Sequence, residues 1–322
     1  MTISPSDPST TARVLVIGGR GFVGSHIVRH LVARAVPVHV FGPAMDHDLL
    51  ADLGGQFDET IGSVESREAV LDAICAAEAT AVVTTAAYGE GHKGLMRAGE
   101  VDASRAMAIN VDGLRHVLEA AQEAGVDRVV TTGSSVVFGP ADNYPEGRVD
   151  ESGARRPRTI YGLTKLLGED LIQYYRDRHG MDACSIRLPI VLGPGLWYQG
   201  AASAISGVIG GAAPGVRHQV QFHDLPIDLM HVGDVARAVV AALVSAKPLD
   251  AIYHINGFSA RLSQISAAAS ALVPGYVVDH QVTPPANTFP LMDDGRFRRQ
   301  FDFVPEYDLD GLLRAQINGA SA

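Results

Sequence analysis

The chain has 322 residues, enough for one large buried core with a smaller appended lobe. Its 26 basic and 36 acidic residues leave a formal net charge of −10, which excludes the basic footprint of a nucleic-acid or anionic-membrane binder. No uninterrupted apolar run reaches the roughly 20 residues of a membrane-spanning helix, and the polar, Pro/Ser-rich Met1–Thr10 carries no signal region, so it reads as a disordered tail and the protein as cytoplasmic.

The first element is a β-branched strand, Arg13–Ile17, that runs into Gly18, Gly21 and Gly24 at three-residue intervals and into an amphipathic helix over Phe22–Arg34. A strand turns into a helix over a bound dinucleotide in this form. The first glycine permits the tight turn, the second lets backbone N–H groups approach a pyrophosphate, and the third lets helix and strand pack closely. Phe22 and Val23 then stand at the helix N-terminus, whose partial positive charge suits phosphate. Strands follow at Val38–Phe41, Asp58–Ile61, Ala81–Thr85, Arg128–Thr132 and Ala183–Leu188, alternating with helices at Glu65–Ala76, Ala103–Ala124 and Tyr161–His179. This alternation predicts a parallel sheet covered on both faces. Ligands in such sheets bind beyond the carboxyl ends of the strands, near the reversal in strand order, so Gly18–Gly24, Thr84–Tyr88, Gly133–Gly139 and Leu188–Gly195 are expected to converge. Beyond Gly193 the composition turns to Gly, Pro and Ala, with short helices over Ala201–Ile209, Asp234–Ser245 and Leu262–Leu272. The predicted fold class is α/β. A Rossmann-type doubly wound parallel sheet over residues 11–190 takes back segments at about 226–258, and a smaller C-terminal substrate-binding lobe comes from 191–225 and 259–322.

Tyr161 and Lys165 stand four residues apart and so share a helix face. The ammonium lowers the phenol pKa from its usual value of about 10, which fits the phenol to exchange a proton with an alcohol near neutral pH. Upstream, Thr131–Gly139 (TTGSSVVFG) ends a strand in hydroxyl residues, where either Ser134 or Ser135 can hydrogen-bond the reacting oxygen. A serine hydrolase is excluded, because Gly133-Ser134-Ser135-Val136 lacks the glycine two residues after the serine that a nucleophile elbow needs. Cys75 and Cys184 lie far apart in apolar segments and are expected to be two buried thiols rather than a disulfide or a metal site. His26 and His30 share a helix face without an acidic or cysteine third ligand, so no metal is expected.

In their order, these pieces resemble the extended short-chain dehydrogenase/reductase family, of the NAD-dependent epimerase/dehydratase type. The resemblance spans most of Arg13–Asn318. It is carried by Gly18–Gly24, Thr84–Ala87 (TTAA), Asn110-Val-Asp-Gly113, Ser134–Gly139, Pro157–Tyr161 with Lys165, Arg187 followed by Gly193-Pro-Gly195, and His231-Val-Gly-Asp234. It implies Tyr161 as catalytic acid/base, Lys165 as its pKa partner and a ligand of the cofactor ribose, and Ser134, five residues before Gly139, as the oxygen-orienting hydroxyl. It further implies a cofactor pocket lined by Val64, Thr85, Ala86, Ala87, Asn110, Thr132, Leu188 and Ile190, and a homodimer formed through Ala103–Ala124 and Tyr161–His179.

Departures from the family pattern bear on cofactor and substrate. Gly42 ends the second strand where the pattern has an acid on the ribose 2′-OH, and Arg20, inside the glycine turn, is placed to pair with a 2′-phosphate. No second arginine follows Gly42, so NAD and NADP both stay open. Ser63 replaces an Asp that contacts the adenine amine. Nucleotide-sugar members need cations and an amide to hold the substrate pyrophosphate, since burying that charge without partners is costly. Here Ile190 replaces the Asn, Ile227 replaces the Arg before Asp228-Leu229, and Leu262–Gly295 contains no Lys or Arg. The expected substrate is a smaller hydroxylated compound of sugar or hydroxy-acid type, and the expected reaction is NAD(P)-dependent interconversion of its secondary alcohol and a ketone. The alternatives are an epimerase/dehydratase that retains its NAD and a catalytically silent cofactor sensor. Tyr88, His92 and Trp197 flank the expected site mouth, with Ser135 beside the reacting oxygen. Arg217, His218 and His223 read as parts of a polar loop, and His231 is expected to pack against or cap the helix whose first turn holds Asp234.

Overall fold

The structure, a computed structural model, describes residues 12–90, 93–145, 147–197, 199–200 and 202–319. Met1–Thr10 and His92 lie outside the described residues. The strands are β1 (Val14–Ile17), β2 (Val38–Gly42), β3 (Asp58–Ile61), β4 (Ala81–Thr84), β5 (Arg128–Ser134), β6 (Arg148–Val149), β7 (Asp182–Leu188), β8 (Ile190–Leu192), β9 (Arg217–Phe222), β10 (Ile227–His231), β11 (Ile252–His254), β12 (Phe258–Ala260), β13 (Val277–Val282) and β14 (Leu291–Met292). The α-helices are α1 (Phe22–Ala33), α2 (Arg67–Ala76), α3 (Leu95–Val101), α4 (Ala103–Met107), α5 (Gly113–Ala124), α6 (Ile160–His179), α7 (Ser203–Gly210), α8 (Val232–Leu243), α9 (Leu262–Leu272), α10 (Gly295–Phe301) and α11 (Leu309–Gly319).

Seven parallel strands form the main sheet in the order β11-β7-β5-β4-β1-β2-β3, with the order reversing between β1 and β4. Strand β1 is apolar and buried at every position because both faces of the sheet are covered, and successive residues of each strand feed opposite cores. Val14, Val16, Val83, Val130 and Ile186 join the cluster beneath α1 and α8. Leu15, Ile17, Val82, Val129 and Ala183 join the cluster beneath α2, α5 and α6. A third apolar core gathers residues from β8, α7, β10, α9 and α11. The expected doubly wound sheet is therefore present, and α8 and β11 return to it from late in the chain.

Three local expectations are corrected. Residues 217–222 are not a loop but strand β9, paired in parallel with β13. In this strand only Val220 is buried, while polar residues alternate around it. The predicted single helix Ala103–Ala124 is interrupted by a π-helical turn at Ala108–Asp112. Of the two cysteines only Cys184 is buried, because Cys75 sits on the solvent side of the last turn of α2. Among the described residues no helix is long and apolar enough to cross a membrane.

Candidate active site

The glycine turn is built as its spacing requires. Gly18 has φ +78°, and a Cβ on it would lie 2.8 Å from Thr85 Oγ1 and 3.1 Å from Ala86 N. At Gly24 a Cβ would overlap the Gly18 carbonyl, so α1 can approach the turn this closely only with glycine here. Helix α1 begins after Gly21 with no capping side chain and no acid in its first turn, so the amide end at Phe22, Val23 and Gly24 keeps its positive character for an anion. These features fit a dinucleotide pyrophosphate. Beside the turn, Gly42 at the end of β2 lies against Gly18, where a Cβ would come 3.7 Å from Gly18 Cα.

The segment after β4 closes on the same turn. Thr85 donates through Oγ1 to the carbonyls of Ile17 and Gly18 at 3.2 and 3.1 Å, and Ala86 follows with its amide 3.4 Å from Thr84 Oγ1. Ala87 and Tyr88 continue the segment, and Tyr88 N donates to Asn110 Oδ1 at 2.7 Å. Asn110 lies in the π-helical turn and donates in turn to Thr164 Oγ1 at 2.9 Å. Thr164 donates to the carbonyl of Tyr161 at 2.8 Å, which joins the β4 loop to the start of α6 through one chain of hydrogen bonds. A π turn widens the helix locally and is frequent where a side chain must be re-aimed at a functional site.

Helix α6 is capped by Thr159, whose side chain accepts from Gly162 N at 3.0 Å. Gly162 packs so closely on Val136 O that a Cβ there would stand 2.5 Å away. This contact sets the buried Tyr161 beside the short turn Ser135–Val137. Lys165 Nζ lies 5.6 Å from the Tyr161 ring centroid and donates to Thr132 O at 2.7 Å. Burial pulls the ammonium from 10.5 down to about 8, a fall that the Glu169 carboxylate opposes. Ser134 stands opposite Leu188 in the β5–β7 ladder, and its hydroxyl accepts from Val136 N at 3.4 Å. Tyr161, Lys165, Thr132, Ser134, Ser135 and Leu188 thus meet at the carboxyl end of β5 and β7.

Other anticipated residues are engaged elsewhere. Ser63 donates to Glu65 at 3.1 Å, and Val64 is buried beneath Gly113. Ile190 belongs to β8 and pairs with Leu229 in the separate sheet β12-β10-β8. The Trp197 ring lies 5.6 Å from that of His47, in the segment after β2, while Lys93 bridges to Gln199 and brings the loops after β4 and β8 together. Arg20 does not stand free for a phosphate, as the sequence suggested. It pairs with both oxygens of Glu59 and, at 2.8 Å, with Asp48, and these bonds hold its guanidinium above the usual arginine range. Arg217 pairs with Asp279 at 2.7 Å, and His223 is buried and stacked on Phe222. His231 caps α8 as expected, accepting from Gly233 N at 3.1 Å.

Sequence reasoning did not find the ion pair behind the site. Arg187 and Glu169 are both fully buried, with Nε and Nη2 donating to the two carboxylate oxygens at 2.6 and 2.8 Å. Arg187 also donates to His254 Nε2 at 2.9 Å, so His254 Nδ1 carries the hydrogen and donates to Asp293 O at 3.1 Å. Burial first, and Arg187 second, bring the imidazole down to about 3 and keep it neutral. The available signal was Arg187 set between Ile186 and Leu188 in a strand buried at this end.

Comparison with known proteins agrees with this architecture. The model of the NAD dependent epimerase/dehydratase family matches residues 14–256. The mitochondrial L-threonine 3-dehydrogenase of Sus scrofa is 26% identical over 235 residues, covering 70% of this chain and 62% of that enzyme, so less than two thirds of the relative's length is matched. The L-threonine dehydrogenase from Clostridium difficile has a TM-score of 0.83 at 21% identity, covering 96% of this chain and 98% of that one. The UDP-glucose 4-epimerase of Thermus thermophilus, in complex with NAD, has a TM-score of 0.80 at 24% identity, covering 96% and 99%. These two structures share the fold. Since the family model covers most of the chain and its glycine turn is built to receive a dinucleotide, the protein belongs to the NAD dependent epimerase/dehydratase family.

Proposed function

We propose that the protein is a dinucleotide-dependent dehydrogenase that oxidises the secondary alcohol of a small hydroxylated substrate, of hydroxy-acid or sugar type. The observation that carries this reading is that Tyr161 and Lys165 share one face of α6 against β5, which lies one strand from the β1 strand that carries the glycine turn. The residues for holding the cofactor are Gly18–Gly24 for the pyrophosphate, Thr85–Ala87 and Leu188 along the nicotinamide half, and Lys165 for a ribose hydroxyl. When bound, the nicotinamide supplies the hydride acceptor. Tyr161 takes the hydroxyl proton, Ser134 holds the reacting oxygen, and the ammonium of Lys165 favours the phenolate.

A small substrate is supported by the absence of Lys and Arg from Leu262–Gly295 and by Ile190 and Ile227 in place of polar phosphate ligands. Asp228 is likewise committed to structure, accepting from Asn256 Nδ2 at 2.9 Å and Met292 N at 2.7 Å. Two of the relatives are threonine dehydrogenases, which makes L-threonine the first member of the class to try. The reading includes a homodimer seated on α5 and α6, where Leu163 and Tyr174 present apolar surface.

The experiment is a panel of L-threonine, other short hydroxy acids and sugars, each mixed with NAD+ or NADP+ while absorbance of the reduced nicotinamide is followed. UDP is titrated separately by calorimetry. Net cofactor reduction with a hydroxy acid or sugar, without micromolar UDP binding, is the expected result. Tight UDP binding with no net reduction would instead assign an epimerase that keeps its cofactor.

A further inference from the structure

We infer that Glu59 and Asp48, gathered by Arg20, replace the acid missing from the end of β2 and make the protein selective for NAD over NADP. The inference rests on the dinucleotide reading of the glycine turn. In folds of this type the ribose of the adenosine half is read over the end of the second strand, by an acid on the 2′-hydroxyl or by an arginine on a 2′-phosphate. Here the strand ends in Gly42, which offers no side chain, and the turn offers Arg20, so the sequence alone leaves NAD and NADP both open.

The partners of Arg20 supply what the sequence lacks. Strand β3 pairs in parallel with β2, Glu59 opposite Val40 and two residues short of Gly42, and the Arg20 side chain reaches across β2 to it. Nε and Nη2 donate to the two oxygens of Glu59, and Nη1 donates to Asp48 Oδ1 at 2.8 Å. Asp48 is itself fixed, because the same oxygen accepts from Leu50 N at 3.0 Å. Arg20 and Glu59 are only 21% and 24% exposed, so the pair is partly shielded from screening. The neighbouring His39 contributes no positive charge, since burial lowers its pKa and its Nε2 bonds Thr60 Oγ1 at 2.8 Å. One guanidinium therefore faces two carboxylates, and the cluster carries a net negative charge. A 2′-phosphate at this rim meets an arginine already paired with two carboxylates, whose like charges lie beside it, whereas a 2′-hydroxyl meets carboxylate acceptors.

The test is calorimetric titration of the full-length chain with NAD+ and with NADP+, which needs no substrate. Wild type is expected to bind NAD+ roughly 10²-fold more tightly than NADP+, the scale of a like-charge clash. The double variant Glu59→Gln with Asp48→Asn releases Arg20, and should strengthen NADP+ at least about tenfold while weakening NAD+ by a few-fold. Adding Arg20→Ala should remove the NADP+ gain. The single variant Glu59→Gln, checked for an unchanged melting curve, should move the ratio in the same direction if the double variant folds poorly. Equal or tighter NADP+ binding by wild type, or a ratio unmoved by the folded variants, overturns the inference and leaves the dinucleotide site standing. Binding of neither dinucleotide removes the site and the inference together.

Discussion

At the scale of single residues, Lys165 shows how a functional group is kept at a cost in stability. Its ammonium donates to Thr132 O, and burial draws its pKa from 10.5 to about 8. Below about 8 both folded and unfolded chains carry the proton, and the folded state bears the full desolvation cost. Between about 8 and 10.5 the unfolded chain binds more protons, so the lysine's contribution to stability rises with pH, by an amount on the order of 3 kcal/mol. Lys165→Met is therefore expected to be more stable than wild type at pH 7 and to lose that advantage by pH 10 to 11, as read by chemical unfolding at a series of pH values without cofactor. A gap that is flat in pH would show that the buried charge is not what differs.

Single residues also mark what the sequence makes legible. The glycine turn and the Tyr161–Lys165 pair are local patterns, fixed by spacing of three and four residues, and both appear in the structure as read. The partners of Arg20 lie 28 and 39 residues away and meet it only because β3 joins the edge of the sheet beside β2. No local pattern carries that information.

At the scale of elements, α6, β7 and β11 are locked by one buried charged cluster. Arg187 on β7 holds Glu169 on α6 bidentately and His254 on β11 through Nε2, with Arg155 reaching the same carboxylate at 3.3 Å. A pair of this kind gains little over an apolar substitute, but removing one member strands the other. Arg187→Met should thus cost about 3–5 kcal/mol in denaturant unfolding, and adding Glu169→Leu should recover most of the loss. A double variant no more stable than the single one would argue that packing of the arginine stem, not the stranded carboxylate, is at stake.

The elements that escaped reading have physical reasons in common. Strand β11 has three residues, Ile252–His254, too short for a periodic signal. Strand β9 opens on three consecutive polar residues, Arg217–Gln219, and draws its pairing from β13, sixty positions on. The π turn at Ala108–Asp112 carries no Gly or Pro signal of its own, and its one buried residue is the polar Asn110, which bonds both Tyr88 and Thr164.

At the scale of the whole molecule, the parallel sheet brings several of the candidate groups to one edge. The order β3-β2-β1-β4-β5-β7-β11 brings the ends of β1, β4, β5 and β7 side by side, so the glycine turn, the Thr85–Tyr88 loop and the Ser134–Tyr161 junction face a common space. The third apolar core is built from β8 onward, and Leu262–Gly295 contains no Lys or Arg.

The most direct measurement is the steady-state rate of cofactor reduction by wild type and by Tyr161→Phe, made on whichever substrate of the hydroxy-acid and sugar panel gives turnover. The account predicts a fall of roughly 10²-fold or more in kcat, the scale of a general acid/base contribution, with the melting curve unchanged. A phenylalanine variant that turns over at the wild-type rate would contradict it.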